Sequence, residues 1–290
     1  MSINIAICLS GEPRYRERAA NSIHNFIKND INNECNVDIF YHFWDNITKR
    51  QSDIIDKPVL EKINKHDLEL EFKPTIGVCE NKDCLDEYID YAWDHISKLK
   101  IEQNAEFKDI KVNNKDIFTQ LVKTTNYPPY SQLISMYKSL KLMTDYSDKN
   151  DIHYDIIIRS RSDVEFYNIN YKSIETIINK NKLSRYVQFP SISVRNVLGE
   201  KSPFTEYCFF VSSSAIINTD LLEDFVTRLC NILIYVKEKP SPNKNIIVFR
   251  SSHNAVPLIL SKNKKTELGA PIGGFGYKLK QMKSNRTNYQ

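Results

Sequence analysis

Tyr154-Asp155-Ile156-Ile157-Ile158-Arg159-Ser160-Arg161-Ser162-Asp163-Val164-Glu165-Phe166 decides the fold. Three consecutive isoleucines are short, apolar and β-branched, the pattern of a strand buried on both faces inside a mostly parallel sheet. The run then turns polar, with Arg159 and Arg161 followed by Asp163 and Glu165. Side chains two apart on an extended chain point the same way, so the two carboxylates can converge just past the strand's carboxyl end. Open α/β sheets bind their ligands at that end. Two hard oxygen donors suit Mg²⁺ or Mn²⁺ carrying a phosphate, and the two arginines can grip phosphate oxygens. A lone D-x-E triplet is also an ordinary solvated surface pair, so the rest of the chain has to carry its share.

Composition narrows the class. The 290 residues suffice for one large α/β domain or two small ones, and 41% hydrophobic with 26% charged residues is ordinary globular content. A net charge of +4 is too mild to make nucleic acid the main partner. The first residues lack the basic lead and apolar run of a secretory signal, and no apolar stretch approaches the about 20 residues of a membrane span. The six cysteines, Cys8, Cys35, Cys79, Cys84, Cys208 and Cys230, match no zinc or redox spacing. Free thiols and a cytoplasmic location are the expectation.

Outward from the central run, Ile3 to Leu9 reads as the first strand, followed by Ser10-Gly11-Glu12-Pro13-Arg14 and a helix to about Lys28. Strand, small-residue turn and helix open a nucleotide-binding α/β unit, with backbone N–H groups and Arg14 where a phosphate or ribose can sit. The turn is neither a dinucleotide fingerprint nor a P-loop. Val37 to Asp45 reads as the second strand, and a parallel sheet sets Trp44 and Asp45 level with the first turn. His42 reads as a partly buried strand histidine. Residues 46–65 read as polar and irregular with one amphipathic piece at 59–63, and 68–78 as a strand alternating around Leu68, Leu70 and Phe72. A helix is expected over 83–99 and a lysine-rich surface insertion over 101–126. After Tyr127-Pro128-Pro129-Tyr130, Ser131 is expected to cap a helix from Gln132 to about Tyr146. Its stripe of Leu133, Met136, Tyr137, Leu140 and Met143 faces the core. Gln132, Ser135, Lys138 and Ser139 remain for solvent or a ligand, with Lys138 a candidate phosphate contact. Strands are expected at 185–189 and 207–212, and helices at 221–236 and 251–260.

Four pieces together carry a resemblance: Ile5-Ala6-Ile7-Cys8-Leu9-Ser10-Gly11-Glu12-Pro13-Arg14, the strand Val37 to Asp45, the helix segment Ser131 to Ser139, and Tyr154 to Asp163. In this order they resemble the GT-A-fold glycosyltransferases, within them sugar transferases of bacterial surface-polysaccharide systems and large DNA viruses. The resemblance covers most of the first 165 residues. It implies a single α/β domain over 1–270, GT-A-like and Rossmann-like. That domain has a mostly parallel central sheet flanked by helices, a nucleotide-sugar half at 1–165 and an acceptor half at 166–270. The remaining residues, 271–290, form a basic tail that can touch an anionic membrane surface.

The same resemblance implies that Ser10, Gly11 and Arg14 line the nucleotide pocket; Trp44, Gln132, Lys138, Arg159 and Arg161 are further candidate contacts by their own positions. Asp163-Val164-Glu165 stands as the D-x-D-type motif, holding Mn²⁺ or Mg²⁺ against the diphosphate of a nucleotide sugar. Glu165 in the last place departs from the pattern by one methylene. Glu206, leading the strand Tyr207 to Ser212, is the candidate general base. The implied activity is transfer of a hexosyl or deoxyhexosyl group to a hydroxyl of a glycan or glycoconjugate. Metal and arginines at the departing diphosphate stabilise the charge that gathers there. Two other readings stand beside it: a nucleotidyltransferase acting on a sugar phosphate, and a non-catalytic nucleotide-sugar-binding module.

Overall fold

The structure, a computed structural model, describes residues 2–14, 16–31, 35–49, 59–90, 127–162, 164 and 166. It also describes short pieces at 93–94, 115–116, 119, 175, 186–188, 194–195, 201–202, 208–211 and 267–268. The chain opens with β1 (Ile3–Gly11), α1 (Arg16–Asn25) and a π turn over Phe26–Asp30. It continues with β2 (Cys35–Trp44), β3 (Asn46–Lys49), β4 (Val59–Lys62), α2 (Lys65–Phe72) and β5 (Ile76–Glu80). After a 3₁₀ turn at Lys82–Cys84 come α3 (Tyr127–Asn150) and β6 (Ile156–Arg161). Short strands follow: β7 (Tyr186–Gln188), β8 (Val194–Arg195), β9 (Lys201–Ser202), β10 (Cys208–Val211) and β11 (Glu267–Leu268).

Seven strands make one sheet in the order β11-β7-β10-β6-β1-β2-β5. The four neighbours β6, β1, β2 and β5 are mutually parallel, and β10 runs against both β6 and β7. This is an α/β architecture with a mostly parallel centre, as the isoleucine run implied: Ile156, Ile157 and Ile158 are all buried. Strand parity divides the two faces. Ile5, Ile7, Leu9, Ile39, Tyr41, Phe43, Ile156 and Ile158 pack with Ala19, Ala20 and Ile23 of α1 and Leu68 and Phe72 of α2. The alternate residues turn to the other face, where α3 lies along β1 and β2. Val164 and Phe166, beyond β6, return to the first face, and the Phe166 ring meets Phe26 edge-on at 5.4 Å.

Three local readings are corrected. Residues 65–72 are helix, not strand: Leu68 and Phe72, one helical turn apart, are buried while Leu70 is 61% exposed. The strand begins only at Ile76. The stretch read as irregular contains a hairpin, with β3 antiparallel to β4. Finally, α3 starts at Tyr127 rather than after Ser131. Prolines 128 and 129 fall in its first turn, where backbone N–H groups have no intrahelical partner to lose. Ser131 is therefore an interior, buried residue and not a cap. The strands expected at 185–189 and 207–212 are present as β7 and β10. The helices expected at 221–236 and 251–260 lie outside the described residues. Among the described residues no helix is long and apolar enough to cross a membrane.

Candidate functional site

Parallel register brings four strand ends to one edge. Gly11 pairs with Phe43, Ser10 with Arg161, and Trp44 with Glu80. The turn after β1, the end of β2, the end of β5 and the exit from β6 therefore share the carboxyl edge where α/β sheets take ligands.

The turn after β1 is rigid. Gly11 has φ +108°, a conformation L side chains rarely adopt, so glycine is required there by backbone geometry. Its N–H donates to Ser135 Oγ at 2.7 Å. The Glu12 carbonyl accepts two bonds, from Arg14 N–H across Pro13 at 2.7 Å and from Ser162 Oγ at 2.7 Å. The second bond ties the turn to the exit from β6, one residue before Asp163. The Glu12 carboxylate bridges two cations: Arg14 Nη2 lies 2.5 Å from Oε2 and Lys82 Nζ 2.6 Å from Oε1.

Between the sheet and α3 lies a buried polar layer of Ser10, His42, Arg159, Ser131, Ser135 and Ser139. Ser135 Oγ sits 2.7 Å from the His42 carbonyl oxygen and 2.9 Å from His42 Nδ1. His42 Nε2 lies 2.6 Å from Glu80 Oε1, which also accepts from Lys138 Nζ. The hydrogen bond from His42 is the largest cause holding the Glu80 carboxyl down at about 2, against a smaller opposing effect of burial. Glu80 therefore only accepts, and the His42 hydrogen sits on Nε2. Burial lowers the His42 pKa more than Glu80 raises it, so the ring is neutral at pH 7. Burial, the largest single influence, lowers the Lys138 pKa, but the bond to Glu80 and the nearby Tyr88, Cys84 and Glu80 groups together outweigh it, and the ammonium stays charged. Lys138 also stands 5.4 Å over the Tyr88 ring. Ser135, His42 and Glu80 have the composition of a hydrolytic triad. Ser135 is fully buried and bonded to backbone, however, so the trio is a structural tie across β1, β2, β5 and α3.

The expected site residues fall into three groups. Gly11, Arg14 and Lys138 stand at the carboxyl edge, and Arg161 is half-buried at the end of β6. Ser10, Trp44 and Arg159 point inward. Arg159 Nη2 donates to Ser10 Oγ at 2.7 Å, and Trp44 Nε1 donates to the Ser131 carbonyl at 3.2 Å. The guanidinium expected to grip a phosphate is thus fully buried. Ser135 and Ser139, expected to face solvent or ligand, are buried too. Gln132 is half-buried on α3. Asp163, Glu165 and Glu206 lie outside the described residues. Among those described, no group of three or more His, Cys, Asp or Glu side chains can hold a metal ion. Sequence reasoning missed Glu12, Glu80 and Lys82. Their signal was positional, a charged residue within two places of the end of a core strand.

No family model, no curated protein and no solved structure matches the chain.

Proposed function

We propose that the chain is a metal-dependent GT-A glycosyltransferase. It moves a sugar from a nucleotide-diphosphate sugar to a hydroxyl of a glycan or glycoconjugate. The observation that carries this reading is the Ser162–Glu12 bond, which ties the exit of β6, where the D-x-E segment begins, to the cation-bearing turn after β1. A donor diphosphate needs both elements side by side. Asp163 and Glu165 offer two hard carboxylate donors, which fit Mn²⁺ or Mg²⁺. When bound, such an ion neutralises charge on the departing diphosphate. Arg14 and Lys138 supply further positive charge at the same edge. Arg159 and Ser10 act from behind, bracing the end of β1 against β6. If the configuration inverts, Glu206 takes the acceptor proton.

Thermal stability measured with a panel of nucleotide sugars, each with and without Mn²⁺, tests the proposal. A ligand that binds only the folded state raises the midpoint by mass action. The expected result is a rise for one donor class that Mn²⁺ enlarges, the Mn²⁺-dependent part being lost in Asp163→Asn, with sugar transfer to a hydroxyl acceptor by the wild type alone. Metal-dependent binding without any transfer would replace the reading with that of a binding module.

A further inference from the structure

The geometry points to a metal-independent binding site for a diphosphate group on the turn after β1, with Arg14 and Lys82 as its cations and Glu12 as a built-in competitor for them. The inference deepens the transferase reading and rests on it for the identity of the ligand, while the anion site itself stands on the turn alone.

The first observation is rigidity. Gly11, Glu12 and Arg14 are fixed by bonds to Ser135 and Ser162 and by the Pro13 ring, so the turn holds its shape before any ligand arrives. Affinity gained by such preorganisation costs little ordering entropy on binding. The second observation is the way Glu12 is used. It spends one carboxylate oxygen on each cation, so Glu12 stands between Arg14 and Lys82 where an anionic ligand would. The cations come from different strand ends, Arg14 after β1 and Lys82 after β5. The Arg14 side chain is 43% exposed, so an incoming anion can reach it.

A diphosphate carries more negative charge than a carboxylate and offers more oxygens to a guanidinium fork. It can take both cations from Glu12, whose side chain then turns to water. A merely structural ion cluster and a self-occupied anion site make opposite predictions for Glu12. If the cluster only closes the turn, removing the carboxylate charge loosens the site. If Glu12 competes, removing its charge improves anion binding.

The test is calorimetric titration of the full chain with inorganic pyrophosphate in EDTA, so that no metal takes part. Arg14→Ala and Lys82→Ala are each expected to weaken binding about tenfold, roughly the value of one charge-assisted contact. Glu12→Gln is expected to tighten it several-fold. Glu12→Asp, which keeps the charge but falls a methylene short of bridging both cations, is expected to fall between wild type and Glu12→Gln. It decides the sign if Glu12→Gln does not fold. Folding of each variant is followed by circular dichroism and thermal midpoint. Pyrophosphate binding that ignores Arg14 and Lys82, or that weakens in folded Glu12→Gln or Glu12→Asp, overturns the inference. A parallel titration with uridine diphosphate separates the two sources of the group. Tighter binding than pyrophosphate assigns the site to a nucleotide, and equal binding assigns it to the free diphosphate. Pyrophosphate binding of the expected pattern, with no Mn²⁺-dependent response to any nucleotide sugar, sinks the transferase reading and leaves the anion site standing.

Discussion

Ser135 and His42 touch twice: the serine hydroxyl oxygen lies 2.7 Å from the histidine's carbonyl oxygen and 2.9 Å from its Nδ1. One side chain on α3 thereby holds both the backbone and the ring of a residue on β2. The same oxygen also accepts the Gly11 N–H of β1.

Ser135→Ala removes the acceptor of the Gly11 N–H and the single hydroxyl hydrogen shared between the His42 carbonyl and Nδ1, all at a fully buried position. The Gly11 N–H and the His42 acceptor atoms are then left in a site closed to bulk water. An orphaned buried polar group costs about 1–3 kcal/mol. A loss at the upper part of that range is expected in urea unfolding. Because Gly11 opens the turn that bears Glu12 and Arg14, a weakened response to pyrophosphate should accompany it. Unchanged stability would mean that the Ser135 hydroxyl does not carry these bonds.

His42 predicts a pH dependence. Its ring faces Glu80 of β5, Lys138 and Ser135 of α3, and the edge of Trp44 on its own strand. Burial, the largest influence, lowers its folded pKa below the ordinary 6.5. As pH falls through 6.5, the unfolded chain takes up a proton before the folded one does. Stability is therefore lost from about pH 7 downward, until the lowered folded value is reached. His42→Gln cannot titrate, so its cost relative to wild type should be largest near pH 7.5 and shrink toward pH 5.5. Denaturant midpoints at several pH values read this directly. A cost that grows as pH falls would show that the charged ring is the favoured form.

The sheet was legible because its signals are local. Ile156, Ile157 and Ile158 announce a strand buried on both faces, and the β-branched and aromatic run of β2 does the same. The error at 65–72 is equally physical. Leu68, Leu70 and Phe72 satisfy a period of two, yet Leu68 and Phe72 also satisfy i, i+4. Two signals favour helix there: Asn64, whose side chain accepts from His66 N–H as an N-cap, and a segment without one β-branched residue. The polar layer was not legible. Ser135 and Ser139 look like the solvent face of a helix until their partners are known, and Ser135 bonds His42 across 93 residues. Glu12 meets Lys82 across 70 residues, so the ion cluster is a property of the register of β1, β2 and β5 and of no single motif.

The end of α2 offers a stabilising change. Lys73 closes the helix with φ 47° and donates its N–H to the Glu69 carbonyl, the left-handed cap that glycine adopts without strain. Lys73→Gly is expected to raise stability by up to about 1 kcal/mol, the order of the left-handed penalty for a side chain. A modest rise in thermal midpoint with unchanged circular dichroism checks it.

Gly77 sits where β5 passes Tyr41 of β2. A Cβ at position 77 would come within 2.3 Å of Tyr41 Cζ and 2.5 Å of Cε1. The ring cannot swing aside. It stacks on Phe43 at 4.6 Å with planes 7° apart, and Phe72 closes on it at 6.2 Å. Gly77→Ala is therefore expected to cost about 1–3 kcal/mol, the usual range for overpacking. The two shortest approaches are to ring carbons that Phe keeps, so Tyr41→Phe, which removes only the hydroxyl at 2.6 Å, should rescue little of it. Tyr41→Phe alone should be neutral or stabilising, because the buried hydroxyl meets no donor or acceptor among the described residues. A double-mutant cycle on the two positions measures the coupling. Tyr41→Leu, which removes the ring, should recover more of the Gly77→Ala cost than Tyr41→Phe does. Equal recovery by both would mean that the hydroxyl, and not the ring, is what requires glycine at position 77.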